Sequence, residues 1–163
     1  MLLLRLALFT VLVPGVIAGY LPWSLGPRHL APGSWQLGWL LIALGTLIYV
    51  LCAARFFAAE GTPAVFFIRP LRALVGEEPS ALVRNGLYRY SRNPMYLGVL
   101  FVILGHACIF HSRPILAYAL VIFLCFHLIV VLYEEPHLRR RDPAAFDAFT
   151  RTTPRWFGPH RRA

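Results

Sequence analysis

The chain has 163 residues, 58% of them hydrophobic and only 14% charged, with a mean hydropathy of +0.63 and a formal net charge of +9. That balance excludes an ordinary soluble domain and describes a membrane protein of one domain, residues 1–163. All 16 basic side chains are arginine, so the charge persists at any accessible pH; beside long apolar runs it points to topology and anionic lipid rather than nucleic acid.

In chain order, Leu2 to Leu21 is apolar except for Arg5 and reads as a first span over 2–21, interrupted by Pro14-Gly15. A cleavable signal peptide is the competing reading, with Arg5 as its basic end and Ala18-Gly19 as its exit. Leu21 to Ser34 carries Pro22, Gly26, Pro27, Pro32 and Gly33 and reads as a loop, with Trp23 and Trp35 as interfacial anchors. A second span covers 35–54, ended by Arg55, with Gly38 and Gly45 on one face. Residues 55–93 are richer in proline, glycine and arginine and lie outside the membrane, with a short interfacial helix expected over Ala64 to Val75.

A third span over 94–110 and a fourth over 114–133 are joined by His111, Ser112 and Arg113, so they are antiparallel neighbours. Gly98 and Gly105 repeat the seven-residue spacing. The charged tail, 134–163, carries Phe146, Phe149 and Trp156 and is expected to rest on the membrane surface. The expected fold is therefore an all-α integral membrane protein with four transmembrane helices. Fourteen of the sixteen arginines fall on the side holding both termini and the 55–93 segment, which the positive-inside rule makes cytoplasmic. Cys52, Cys108 and Cys125 lie in apolar runs without metal or disulfide spacing, and no metal site is expected.

Chemistry concentrates between Arg84 and Gly98, where Arg84, Arg89, Arg92, Tyr88, Tyr90 and Tyr96 precede a hydrophobic helix. Asn93-Pro94 is a helix start, and the amides of Met95, Tyr96 and Leu97 with Arg92 would favour an anion there. Gly98 would allow close approach to the backbone. Glu134 and Glu135 emerge from the fourth span at the same level, so two acids face several arginines and tyrosines. A simple Glu135 to Arg139 helix pair is the plainer reading of that acid. His127 lies seven residues before Glu134 and is an intramembrane candidate, whereas His106 sits too near the far side.

The run Gly86-Leu87-Tyr88-Arg89-Tyr90-Ser91-Arg92-Asn93-Pro94-Met95-Tyr96-Leu97-Gly98 is followed one hairpin later by Glu134-Glu135-Pro136-His137-Leu138 and Pro154-Arg155-Trp156. Together these resemble the isoprenylcysteine carboxyl methyltransferase family and, more broadly, membrane methyltransferases that include phospholipid N-methyltransferases. The resemblance implies S-adenosylmethionine bound from the cytosolic side and a lipidic acceptor, carboxylate or amine, arriving from the bilayer. It carries over at Arg92, Pro94, Tyr96, Gly98, Glu134 and Glu135, while Asn93 stands where eukaryotic members have histidine. Asp142-Pro143 and Phe146 stand where relatives often show Phe-Gly and a tyrosine.

The expected cofactor-binding set is Tyr88, Arg92, Asn93, Pro94, Met95, Tyr96, Leu97, Gly98, Glu134 and Glu135. An amine acceptor needs a base, for which Glu134, Glu135 and His127 are the candidates. The chain is bacterial in style, and an inner-membrane location is expected. Two other classes fit the same composition: a non-catalytic protein binding anionic lipid or a protein partner, and a sterol-type reductase using NADPH.

Overall fold

The computed structural model describes residues 4, 7, 8, 10–26, 35–61 and 82–158. The interfacial helix expected over Ala64 to Val75, the loop 27–34 and the terminal Arg161-Arg162 lie outside the described residues. Among the described residues the fold is entirely helical, with no strand.

Helix α1 (Val11–Tyr20) has wide, π-type turns and contains Pro14. Proline has no N–H to donate and crowds the carbonyl four residues back, so wider turns are a natural accommodation. The chain does not break into a loop at Leu21. It continues as α2 (Leu21–Leu25), because Pro22 falls in the first turn where its missing donor costs nothing, and it stops at Gly26. Pro22 is fully buried, and Trp23 meets Phe110 edge to face at 5.5 Å.

Helix α3 (Trp35–Ala58) runs four residues beyond the expected end, and α4 (Pro94–Phe110) begins and ends at the expected residues. Helix α5 (Arg113–Ile129), the wide turns of Val130–Glu134 and α6 (Glu135–Arg141) form one continuous helix of 29 residues. Pro136 sits just past the wide turns, which again places a proline beside a π-type segment. Helix α3 and the Arg113–Arg141 helix are long and apolar enough to cross a bilayer, with mean hydropathies of 2.2 and 2.9; α4 is apolar but shorter, at 17 residues.

Helix α4 is the axis of the packing. Ile103 is fully buried at its centre, flanked by Leu97, Val99, Leu100, Ala107 and Ile109. Its glycines meet those of α3 in two antiparallel pairs: a Cβ on Gly45 would fall 2.5 Å from the Gly98 carbonyl oxygen, and one on Gly105 would fall 2.6 Å from the Gly38 oxygen. The seven-residue repeats in both helices are thus the two halves of one backbone-to-backbone seam. The α4–α5 turn places His111 in the left-handed region (φ 45°), and Ser112 Oγ accepts from the Ile115 amide at 3.3 Å.

The tail departs from expectation. Phe146 and Phe149, on α7 (Pro143–Thr152), are buried in the protein rather than spread on a membrane surface. Their i,i+3 spacing puts both rings on one face, and that face finds the protein core. Asp142 caps α7, its Oδ1 accepting from the Ala145 amide at 2.9 Å.

Candidate functional site

The segment before α4 is built from a 3₁₀ turn, Gly86–Arg89, entered through Gly86 at φ +65°. A side chain there would be strained by the backbone and would also press on the Arg55 guanidinium, whose Nε lies 3.0 Å from the Cβ position. The turn separates the basic and aromatic residues into two sets. Arg84, Arg89 and Tyr90 are exposed, whereas Tyr88 is buried against Phe56, ring centroids 5.9 Å apart, and Arg92 and Tyr96 turn inward. Burial holds the Tyr88 phenol well above its ordinary range, so it stays protonated.

The segment is then fastened to the tail. The Arg92 amide donates to the Pro154 carbonyl at 2.9 Å, and the Thr153 hydroxyl donates to the Arg89 carbonyl at 3.4 Å. The Arg155 carbonyl accepts from Ser91 Oγ at 3.2 Å and from Asn93 Nδ2 at 3.0 Å. Asn93 is the residue before α4, yet its side chain does not cap that helix; it holds the tail.

Glu134 and Glu135 are adjacent in sequence and differently partnered. Glu135 Oε1 accepts from Arg92 Nη1 at 2.9 Å and from Arg155 Nε at 2.7 Å, and its Oε2 accepts from Arg155 Nη2 at 2.8 Å. Arg155 therefore grips the carboxylate with two parallel bonds and Arg92 adds a third. The pairing expected along the helix is replaced: Arg139 bonds Asp147 of α7 at 3.2 Å instead. Two cations share one anion, so this cluster keeps a net positive charge. Burial pulls Arg92 below the ordinary arginine value against the opposing pull of Glu135, while the bonds to Glu135 raise Arg155. Arg92 lies over the Phe146 ring at 6.0 Å, and its Nε is buried without an acceptor among the described residues.

Glu134 has no cationic partner among the described residues; Tyr96 donates its hydroxyl to Glu134 Oε1. Tyr96 packs on Phe126 (4.5 Å between centroids) and meets the Trp156 ring at 6.4 Å. Trp156 also lies 5.4 Å from Phe123 and donates its indole N–H to His127 Nδ1 at 3.1 Å. The carboxylate without a counter-ion thus borders a wall of aromatic rings.

Of the other expected residues, Pro94, Met95 and Leu97 are buried in the core, and the Leu97 amide, expected to face an anion, donates to the Asn93 carbonyl at 3.4 Å instead. The bare face of Gly98 is taken up by α3, where a Cβ would lie 2.8 Å from the Gly45 oxygen. Among the described residues, His127 is linked to Glu134 through Trp156 and Tyr96. His106 Nδ1 pairs with the Val102 carbonyl at 2.9 Å. Arg155 and Trp156 were quoted in the resemblance without a role, and Phe123 and Phe126 read only as span residues; a spatial cluster from four segments leaves no linear signature.

Residues 34–141, more than half of the chain, match the phospholipid methyltransferase family. The chain belongs to that family. Neither a curated protein nor a solved structure matches it. Membership makes this a chain of a membrane methyltransferase family and points to methyl transfer on a membrane lipid. It supports the broader of the two resemblances, the membrane methyltransferases that include the phospholipid methyltransferases. The matched region holds the Arg92 segment and both glutamates and ends before Arg155 and Trp156.

Proposed function

We propose that the protein transfers a methyl group from S-adenosylmethionine to a lipidic acceptor held in the bilayer, as a four-span membrane protein with both termini and the site on the cytoplasmic side. The observation that carries this reading is the contrast between the two acids. Glu135 is held by Arg92 and Arg155, whereas Glu134 meets no cation among the described residues and takes the Tyr96 hydroxyl beside aromatic rings.

The donor set suits this cofactor, which bears two cations and a carboxylate. Glu134 and the Tyr96 and Trp156 rings are the groups for a cation, and the Arg92 Nε without an acceptor is the group for a carboxylate. When bound, S-adenosylmethionine supplies an electrophilic methyl group on a sulfonium. The protein's part is to hold donor and acceptor in line and to keep water out, for which Phe123, Phe126 and Trp156 provide apolar walls.

An amine acceptor must also lose a proton. His127 Nδ1 already accepts the Trp156 N–H, so a neutral His127 carries its proton on Nε2 and offers a donor rather than a base. Glu134 has carboxylate lone pairs left over and is the better candidate to take the proton on oxygen.

Titration calorimetry of the full chain in detergent tests the reading. Saturable binding of S-adenosylmethionine that weakens in Glu134→Gln and Tyr96→Ala is expected; no binding, or binding indifferent to both changes, sinks it. NADPH titrated alongside tests the reductase alternative. Membranes incubated with methyl-labelled cofactor identify the product class, base-labile label marking an ester and stable label an amine or ether.

A further inference from the structure

Two arginines contact Glu135, but they are not equivalent. Arg155 takes both carboxylate oxygens, at 2.7 and 2.8 Å, and Arg92 has only a single bond at 2.9 Å to the oxygen that Arg155 Nε already shares. We propose that Arg155 is a positioning residue: by occupying Glu135 in this two-bond grip it leaves Arg92 with donors to spare, and so keeps Arg92 available for the carboxylate of the methyl donor. The proposal rests on the methyltransferase reading above and adds to it a residue beyond the 34–141 family match.

Remove Arg155, and the lone pairs it held on Glu135 become open to Arg92, which is already in contact. Arg and carboxylate favour a two-bond fork whenever geometry permits, so Glu135 would draw Arg92 toward itself. The Arg92 Nε, buried and without an acceptor among the described residues, is the donor a ligand would lose. Arg155 is well placed to prevent this because its own backbone is pinned. Its carbonyl accepts from both Ser91 and Asn93, and the neighbouring Pro154 carbonyl accepts from the Arg92 amide. The segment that carries Arg92 and the segment that carries Arg155 are therefore fixed to each other independently of Glu135. Asn93 acquires a definite role on this reading, holding the Arg155 backbone through its amide nitrogen.

The test uses two probes that differ only at the amino-acid end. S-adenosylhomocysteine carries the carboxylate; 5′-methylthioadenosine lacks it. Calorimetry of the full chain in detergent is run on wild type, Arg155→Met, Glu135→Gln and the double variant. Arg155→Met is expected to weaken S-adenosylhomocysteine roughly tenfold, the order of one lost charge-assisted contact, and to leave methylthioadenosine within about twofold. In the Glu135→Gln background the further effect of Arg155→Met is expected to shrink to about twofold or less, since the competitor for Arg92 is weakened. Arg155→Lys, which keeps charge but loses the fork, should fall between wild type and Arg155→Met; it also serves if the methionine variant does not fold.

Equal losses for both probes would mean general damage, and additive losses in the double variant would mean that Arg155 does not act through Glu135; either overturns the proposal. Unchanged S-adenosylhomocysteine binding in Arg155→Met removes the proposal and leaves the methyltransferase reading standing. A wild-type chain that binds neither probe overturns both.

Discussion

The Tyr96 hydroxyl donates to the Glu134 carboxyl, joining the first turn of α4 to the wide turns within the long helix that leaves the hairpin. The bond holds a carboxyl that meets no cation among the described residues. Tyr96→Phe keeps the ring contacts with Phe126 and Trp156 and deletes only the hydroxyl. Binding of S-adenosylmethionine should weaken by roughly tenfold, the effect of about 1.5 kcal/mol expected for one hydrogen bond to a charged group. Calorimetry on the variant checks this, with circular dichroism to confirm that the helices persist.

The two glutamates should respond to the same substitution in different ways. Glu135→Gln leaves Arg92 and Arg155 facing each other without an anion, so a loss of about 2–5 kcal/mol is expected for breaking a largely enclosed pair. Glu134→Gln removes a buried carboxyl that has no cationic partner among the described residues and keeps an acceptor for Tyr96, so stability should hold or rise while cofactor binding falls. Denaturation in detergent micelles, read beside binding, separates the pair. Equal destabilisation by the two changes would contradict the division of labour.

A third prediction concerns the seam. Gly98→Ala and Gly45→Ala each insert a methyl where the opposite backbone oxygen lies 2.8 or 2.5 Å away. Helix α3 must move off α4, at a cost of about 1–3 kcal/mol per change. Combining both should cost less than the sum, because one separation of the helices relieves both clashes. Midpoints from thermal unfolding of the three variants give the answer.

Ion pairs in the tail should rank by enclosure. Arg139 and Asp147 pair at 3.2 Å with side chains 66% and 41% exposed, so Arg139→Ala should cost at most about 1 kcal/mol. Arg155, whose partner Glu135 is 18% exposed, should matter several times more when cut to methionine. A larger effect for Arg139 would mean that α7 depends on that surface contact more than on Phe146 and Phe149.

Much of this protein is written in one dimension. Lipid-length apolar runs fixed by composition gave α3 and the long helix from Arg113, and Asn93-Pro94 and His111 to Arg113 marked the ends of the hairpin, because proline and short polar turns act locally. The paired glycine spacings put a small-residue face on each helix, equally suited to lipid or to a close helix contact, and the structure shows the two faces meeting. The nearness of Glu134 and Glu135 to Arg92 and Tyr96 followed from the antiparallel hairpin alone.

Other features depend on distances that sequence spacing does not encode. Helical spacing favoured Arg139 as the partner of Glu135, but Arg155 and Arg92 reach it from separate segments with a better fork. The same spacing put Phe146 and Phe149 on one face without saying that this face is covered by protein and not lipid. The wide turns of Val130–Glu134 lie between His127 and Glu134, and among the described residues Trp156 and Tyr96 link the two. Sequence alone thus placed Arg92, Tyr96, Glu134 and Glu135 at one end of the hairpin. Only the tertiary structure decided which acid meets two arginines and which meets none among the described residues, because that depends on where the returning tail sets the Arg155 guanidinium.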